Sequence, residues 1–248
     1  MDRNTLFAVL PCYNEDKNIT DLIEAWRQQE AKLLSKNNML RLLIVNDGSN
    51  DDTLSIATKI AEQNNNIIVI NHEVNKGLGE ALNTGINYVI KQNNVKYMCI
   101  MDGDMTQHPL YIHSMIEKLE AEELDCVIAS RYRPGSKVEG LAFFRKFLSF
   151  GARVIYTMKL SIPKVRDYTC GYRLYKVSAL KALSKRYGIS ILKEQSFACM
   201  LELLIKLSRE NMKIGEVPFV LKYQLKKGQS KMNIIKTIKK SLDMIIRM

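Results

Sequence analysis

The stretch Tyr97–Asp104, YMCIMDGD, decides the fold class, because a short apolar run ends at two aspartates that flank a glycine. A run of this length, closed by a turn signal, is typical of a buried strand. Four similar runs occur in the first half of the chain, at Leu6–Leu10, Leu42–Val45, Ile67–Ile70 and Cys126–Ala129. Helical spacing predicts helices between them, over 17–36, 51–63, 78–91 and 109–120. This alternation predicts an α/β fold with a mostly parallel sheet and helices on both faces.

Polar residues follow each of these strands, at the edge where a parallel sheet binds its ligands. They are Tyr13–Glu15, Asn46–Ser49, Asn75–Gly77, Asp102–Asp104 and Ser130-Arg131. Five strand ends with such chemistry predict one functional site at the carboxyl edge of the sheet.

Taken singly, each of these motifs also has a purely structural interpretation. Asp102 and Asp104 offer hard oxygens that suit Mg²⁺ or Mn²⁺, but Asp104 could equally cap the helix near Pro109. Asp47 fits a contact to a base or ribose, or a tight turn with a helix cap. The segment Asn75–Gly79 fits an anion site at a helix start, or glycines for close packing. It is neither a dinucleotide fingerprint nor a Walker A loop.

The charge is concentrated in the second half of the chain. The net charge is +11, and residues 140–176 and 222–248 each hold eight Lys or Arg against one acid. We expect helices over 141–160, 195–208 and 232–248 and strands over 170–175 and 213–221. The first and last of these helices are basic and amphipathic, which suits an anionic bilayer surface, although such stripes also pack on a core. Aliphatic rather than aromatic interleaving argues against nucleic acid as the partner.

The five cysteines are widely spaced and include no CxxC pair, so we expect reduced thiols and no zinc site. The first residues do not resemble a signal peptide, and no uncharged run approaches the ~20 residues that span a bilayer. The reduced thiols favour a cytosolic protein.

Nine motifs together resemble one family. They are Pro11–Glu15, Asn46–Ser49, Asn75–Gly79, Asp102–Asp104 with His108-Pro109, Ser130–Tyr132, Phe144–Lys146, Gly171–Tyr175, Ile214–Pro218 and Gly228–Lys231. In order and spacing the chain resembles family 2 glycosyltransferases of the GT-A nucleotide-sugar fold over roughly residues 5–231. Within that family it is most similar to the dolichyl- or polyprenyl-phosphate mannose synthase group.

The resemblance implies a donor site and a metal site. The residues expected to bind the nucleotide sugar are Pro11, Tyr13, Asn14, Glu15, Asp47, Lys76, Gly77 and Asp102. Asp102 and Asp104 would hold Mg²⁺ or Mn²⁺ on the donor diphosphate. In this group a glutamine two positions after the second aspartate sometimes joins the metal. That position is Thr106 here and Gln107 follows it, so we expect neither to be a direct ligand.

The resemblance also implies an acceptor site. Arg131, Arg145, Ser149 and Lys231 would receive the acceptor phosphate, and Lys227 lies with Lys231 in a loop that closes over the donor. The expected catalytic residues are Asp104, Arg131, Arg145 and Lys227. A phosphate monoester carries its own negative charge and needs cations rather than a base.

The predicted reaction is transfer of a hexose from a nucleoside diphosphate sugar to a polyprenyl or dolichyl phosphate. GDP-mannose is the favoured donor, and UDP-glucose and related donors remain open. One alternative is a family 2 enzyme acting on a glycan hydroxyl, with Glu194 as base, since Glu202 is the only other carboxylate before Glu210 in that region. Another is a non-catalytic nucleotide-sugar sensor or membrane adaptor.

The predicted organisation is a catalytic domain over 1–231 followed by a membrane-proximal helix over 232–248. The donor half covers about 1–130 and the acceptor half about 131–231. The expected location is the cytoplasmic membrane face, through surface binding, a further anchor or a membrane-spanning partner.

Overall fold

The computed structural model describes residues 3–140, 143–227 and 234–246. The first half alternates strands and helices as the apolar runs predict. Its strands are β1 (Asn4–Cys12), β2 (Asn38–Asp47), β3 (Ile67–His72), β4 (Val95–Ile100) and β5 (Cys126–Ser130). Its helices are α1 (Ile19–Arg27), α2 (Glu30–Ser35), α3 (Thr53–Glu62), α4 (Leu78–Ile90) and, after a 3₁₀ turn at Pro109–Tyr111, α5 (Ile112–Ala121).

The second half is less regular. Its elements are β6 (Lys137–Glu139), α6 (Phe143–Leu160), β7 (Arg173–Lys176), α7 (Val177–Tyr187), α8 (Cys199–Arg209), β8 (Ile214–Pro218), β9 (Val220–Lys222), a 3₁₀ turn at Tyr223–Leu225 and α9 (Ile234–Ile246).

The central sheet has seven strands in the order β3-β2-β1-β4-β7-β5-β8, and only β7 runs antiparallel to its neighbours. Strands β1, β2 and β4 are fully buried along most of their length because helices cover both faces of the sheet. A second, two-stranded sheet pairs β6 with β9 in parallel. The predicted α/β class with a mostly parallel sheet is confirmed.

Several boundaries differ from the sequence prediction. The helix expected over 17–36 is two helices, because the chain turns at Gln28 and Gln29 between α1 and α2. The strand expected over 213–221 splits after Pro218, which has no N–H for a sheet hydrogen bond. The sequence analysis did not predict β6 or α7.

The two basic helices have different surroundings. In α6, Val154, Ile155 and Met158 are exposed, and Met158 is 76% exposed. In α9, by contrast, Ile238, Leu242, Met244 and Ile245 pack against the core. The predicted division at residue 231 and the membrane-proximal role of the last helix stay predictions. No helix in the described ranges is long and apolar enough to cross a membrane.

A buried arginine holds the antiparallel strand in place. Arg173 lies in β7 opposite Ile100 of β4 and Ile128 of β5, and it is fully buried. Its guanidinium donates to three backbone carbonyls, those of Cys170 at 2.8 Å, Met200 at 2.7 Å and Tyr168 at 2.9 Å. It thereby joins the segment before β7 to the first turn of α8.

We predict that Arg173→Met lowers the free energy of unfolding by about 3 kcal/mol, because three buried carbonyls lose a charged donor at once. Urea denaturation followed by circular dichroism measures it. Arg27→Met is the matched control, since Arg27 lies on the surface of α1 in an exposed pair with Glu24, and its effect is expected to stay within about 0.5 kcal/mol. Equal stability of Arg173→Met and the wild type would contradict the prediction.

Candidate active site

A cavity of about 540 Å³ opens at the carboxyl ends of β1, β2, β4 and β5. Among the residues that line it are most of those singled out in the sequence, namely Pro11, Tyr13, Glu15, Asp47, Gly77, Asp102, Asp104, Gln107 and Arg131. Parallel strands end at one edge of the sheet, so loops far apart in sequence meet there. Their roles in binding stay predictions.

Asp102 and Asp104 are held by the loop between them and Gln107. The Gln107 amide donates to Asp102 Oδ2 at 2.8 Å, while Asp104 Oδ1 accepts from the Thr106 hydroxyl at 2.7 Å. Gly171 packs against the Asp102 carboxylate, where a Cβ would lie 2.7 Å from Oδ1. Gln107 and Thr106 therefore orient the two carboxylates in this structure.

The residues present fit a divalent cation that shares its coordination with a substrate. The described residues contain no group of three or more Asp, Glu, His or Cys side chains that could hold a metal alone. Mg²⁺ and Mn²⁺ sites built from one or two carboxylates are completed by phosphate oxygens and water. In the structure the ammonium group of Lys226 lies on Asp104, with its Nζ 2.6 Å from Oδ2.

Asp47 organises the loop before α4. Its Oδ1 accepts from the backbone N–H of Lys76 at 3.0 Å and lies 2.8 Å from His72 Nδ1. Its Oδ2 accepts from the Gly77 N–H at 2.8 Å and from the Asn75 amide at 3.0 Å. The carboxylate is buried and satisfied by its own chain, and it also borders the cavity.

The start of α4 packs tightly against the segment before α8. A Cβ on Gly79 would lie 2.0 Å from the Glu194 carbonyl oxygen, and the Gly79 N–H donates to the Gln195 carbonyl. The Lys76 side chain is exposed and does not line the cavity. The glycines here serve close packing. The backbone N–H groups of Lys76, Gly77 and Gly79, which could have faced an anion, donate to protein oxygens instead.

The loop after β1 supplies both cavity residues and a structural turn. Asn14 has φ +52° and its Oδ1 accepts from the Asn50 N–H at 2.8 Å, and it does not line the cavity. Glu15 is buried at the cavity wall, where its Oε2 accepts from the Asn18 amide at 2.7 Å. Asn14 therefore shapes the loop that presents Tyr13 and Glu15.

Arg131 forms a bidentate ion pair with Asp167. Its Nε lies 2.7 Å from Asp167 Oδ2 and its Nη2 lies 2.6 Å from Oδ1. Asp167 is fully buried and also accepts from the backbone N–H groups of Arg131 and Cys170. Burial acts to lower the pKa of Arg131, but Asp167 outweighs it and raises the pKa. Arg131 is thus a permanently charged group with most of its donors already used.

The sequence analysis did not assign several cavity residues to the site, among them Arg153, Tyr132, Asp167 and Lys226. The Arg153 guanidinium lies 4.4 Å from the centre of the Tyr132 ring, and that of Arg131 lies 5.6 Å from it. Asp167 had a visible signal, because it is the only acid in the basic stretch 140–176.

The structure does not bring every predicted residue to the cavity. Lys227 points away from it and pairs with Asp21 at 2.7 Å in an exposed contact. The side chains of Arg145 and Ser149 and the whole of Lys231 lie outside the described part of the chain. The roles assigned to these four residues remain predictions.

Burial raises the pKa of Asp102 to about 7, and the neighbouring charge of Asp104 acts in the same direction. The ordinary value is 3.8, so between pH 4 and 7 the folded protein retains a proton that the unfolded chain has lost. The ionised carboxylate therefore destabilises the fold by an amount that grows as the pH rises through this window. Above pH 7 the cost is constant.

We predict that Asp102→Asn raises the free energy of unfolding at pH 8 by about 2 kcal/mol, because it removes a buried charge. The gain is expected to shrink toward zero as the pH falls to 4. Denaturation in urea with a metal chelator, repeated from pH 4 to 8, measures this. The exposed Asp52 supplies the control Asp52→Asn, for which we expect no such trend. A gain that does not change with pH would contradict the prediction.

Comparison with known proteins identifies the family of this chain. The family model described as "Glycosyl transferase family 2" matches residues 7–184. The dolichyl-phosphate beta-glucosyltransferase of Trichomonas vaginalis is 27% identical over 245 residues, covering 97% of this chain and 72% of that protein. An uncharacterised protein of Methanocaldococcus jannaschii is 28% identical over 218 residues, covering 88% of this chain and 82% of that protein.

A solved structure shows the same fold at low identity. The mannosyltransferase of Pyrobaculum calidifontis in complex with GDP-Man and Mn²⁺ superposes with a TM-score of 0.59 at 14% identity. The match covers 99% of this chain but 65% of that one, so this chain spans just under two thirds of its length. The expected GT-A fold is confirmed. Because the family match runs from β1 into α7 and covers well over half of the sequence, the chain belongs to glycosyl transferase family 2.

Proposed function

We propose that this family 2 glycosyltransferase moves a hexose from a nucleoside diphosphate sugar to a polyprenyl phosphate at the cytoplasmic face of a membrane. The observation that carries the proposal is the distribution of charge around the cavity. Asp102 and Asp104 line the cavity, and so do five cationic side chains from later in the chain: Arg131, Arg153, Lys226, Lys236 and Lys240. Five cationic side chains at one cavity suit an anionic acceptor beside an anionic donor.

The alternative, a hydroxyl acceptor with Glu194 as base, has less support. The Glu194 carboxylate accepts from Lys240 Nζ at 2.7 Å and from the Ser196 N–H at 2.7 Å. Burial acts to raise the pKa of Glu194, but these hydrogen bonds outweigh it and hold the pKa below its usual range. Glu202 is buried in an ion pair with Lys206 at 2.5 Å. Both carboxylates are engaged in structure, and a phosphate nucleophile needs neither.

Asp102 and Asp104 are the residues that would hold a divalent cation, either Mg²⁺ or Mn²⁺. When bound, that cation supplies charge that stabilises the nucleoside diphosphate as it leaves. Gln107 and Thr106 would then support the two carboxylates rather than bind the cation. Arg131 and Arg153, which also line the cavity, would orient the acceptor phosphate and reduce its repulsion of the donor.

Mannose from GDP-mannose is the donor favoured by the motif resemblance. The glucosyltransferase relative from Trichomonas vaginalis makes UDP-glucose the donor to be compared with it. Both donors place a diphosphate between nucleoside and sugar, so the charge argument above holds for either.

The exposed face of α6 supports association with a membrane surface. Val154, Ile155 and Met158 are exposed together on this helix, and the exposed Lys159 lies beside them. Apolar side chains flanked by lysine suit an anionic bilayer surface. Arg153 and Tyr156 of the same helix line the cavity, so α6 would lie between the bilayer surface and the cavity.

We predict lipid-dependent release of nucleoside diphosphate from GDP-mannose or UDP-glucose in the presence of Mn²⁺ and a short polyprenyl phosphate. Asp104→Asn is expected to reduce the rate by about a hundredfold or more, because the donor diphosphate loses its counter-charge. A coupled assay for GDP and UDP measures the rate, with Asp52→Asn as the matched surface control.

The outcomes distinguish the candidate functions. Release without dependence on the lipid phosphate, but dependent on a glycan, would favour the hydroxyl-acceptor enzyme. Tight nucleotide-sugar binding with no turnover, unaffected by Asp104→Asn, would favour the adaptor. Either result would overturn the proposed reaction.

We also predict a selective effect of Arg153→Met on the acceptor. The KM for polyprenyl phosphate is expected to rise about tenfold, the usual scale for losing one charged hydrogen bond, while the KM for the nucleotide sugar changes little. Arg166→Met is the control, because Arg166 is exposed and does not line the cavity. A proportional rise in both KM values would contradict the assignment of Arg153 to the acceptor.

A further inference from the structure

Lys226 lies at the cavity, beside one of the two aspartates that would hold a divalent cation. It follows the 3₁₀ turn Tyr223–Leu225 and lines the cavity, with its ammonium 2.6 Å from Asp104 Oδ2. The side chains of Lys226 and Asp104 are only 10% and 15% exposed. This is therefore a largely buried ion pair, not a surface contact of little energetic consequence.

The ammonium covers the carboxylate oxygen that a divalent cation needs. Asp104 Oδ1 is already held by the N–H and the hydroxyl of Thr106, at 3.2 Å and 2.7 Å, so Oδ2 is the oxygen turned to the cavity. A divalent cation binds such an oxygen at about 2.1 Å. At that separation an ammonium on the same oxygen would be strongly repelled, so the two cations exclude one another.

The backbone on both sides of Lys226 is fixed while its side chain is long. The Lys222 N–H donates to the Thr106 carbonyl at 2.9 Å. Asn18 holds Lys227 through both backbone groups, accepting from its N–H at 3.3 Å and donating to its carbonyl at 3.0 Å. Because a lysine has a flexible four-carbon stem, the ammonium can leave Asp104 without movement of this backbone.

We propose that Lys226 is a positioning residue that holds the cation position of Asp104 before substrates bind and moves onto the donor diphosphate when a divalent cation enters. This inference rests on the proposed function for the identity of the donor. Without substrates the lysine neutralises Asp104. With substrates the same ammonium would be free to pair with the donor diphosphate, so binding of the cation and binding of the donor would be coupled.

The first test is Mn²⁺ binding to the protein without nucleotide, measured from the electron paramagnetic resonance signal of free Mn²⁺. Lys226→Met is expected to bind Mn²⁺ about tenfold more tightly than the wild type, because no ion pair has to be broken. Lys226→Arg retains the competing charge and is expected to behave like the wild type. Lys118→Met removes a lysine that is paired with Glu122 and does not line the cavity, and it is expected to change Mn²⁺ affinity little.

The second test is the affinity for GDP and UDP at saturating Mn²⁺, measured by calorimetry. The expected effect on nucleotide affinity is opposite to that on Mn²⁺ affinity. Lys226→Met is expected to bind the nucleoside diphosphate about tenfold more weakly than the wild type. Thermal denaturation of each variant confirms that it is folded before either measurement.

These measurements separate the inference from the proposed function. Equal Mn²⁺ affinity in Lys226→Met and the wild type would overturn the inference, as would unchanged GDP and UDP affinity in the variant. Lipid-dependent turnover by the wild-type protein would still support the proposed function in either case. Its absence, with the two affinity changes present, would overturn the lipid acceptor and leave the role of Lys226 intact.

Discussion

The pair of Arg131 and Asp167 joins the two halves of the molecule, and the cavity depends on it. A fully buried carboxylate is strongly destabilising unless its charge and lone pairs are satisfied. Arg131, at the end of β5, supplies two side-chain donors and one backbone donor, and the segment after Asp167 supplies two more. The chain leaving Asp167 is thereby brought beneath Asp102, with Gly171 against that carboxylate.

The antiparallel strand follows from the same constraint. Once the segment 167–171 is fixed at the carboxyl end of the sheet, the chain can continue only toward the opposite edge, so β7 runs against β4 and β5. Arg173 then holds this path from within by donating to carbonyls on either side. Glu216 on β8 completes the arrangement, accepting from the Asp167 N–H at 2.7 Å and pairing with Arg133. Buried charge thus sets both the topology and the position of the cations around the cavity.

The sequence predicted the features that depend on local patterns. Apolar runs of four or five residues located the parallel strands, and polar residues at their ends predicted a shared site that includes Asp47, Asp102 and Asp104. Contacts distant in sequence were not predictable in the same way. The insertion of β7 between β4 and β5 requires pairing across some seventy residues of chain, and no periodicity encodes it. The choice between adjacent Lys226 and Lys227 depends on a 3₁₀ turn and on Asn18, which holds Lys227 and leaves its neighbour facing Asp104.

The pairing of the carboxylates at the cavity limits the chemistry that they can perform. Every carboxylate discussed at the cavity or beside it has a structural partner: Asp47 the loop before α4, Asp167 its arginine, Glu15 the Asn18 amide, Glu194 the lysine of α9. Asp102 and Asp104 are the pair whose protein contacts a metal and a diphosphate could complete. Carboxylates that are already paired in this way are poor general bases for a neutral hydroxyl. The phosphate acceptor of the proposed function arrives with its own negative charge and would need no such base.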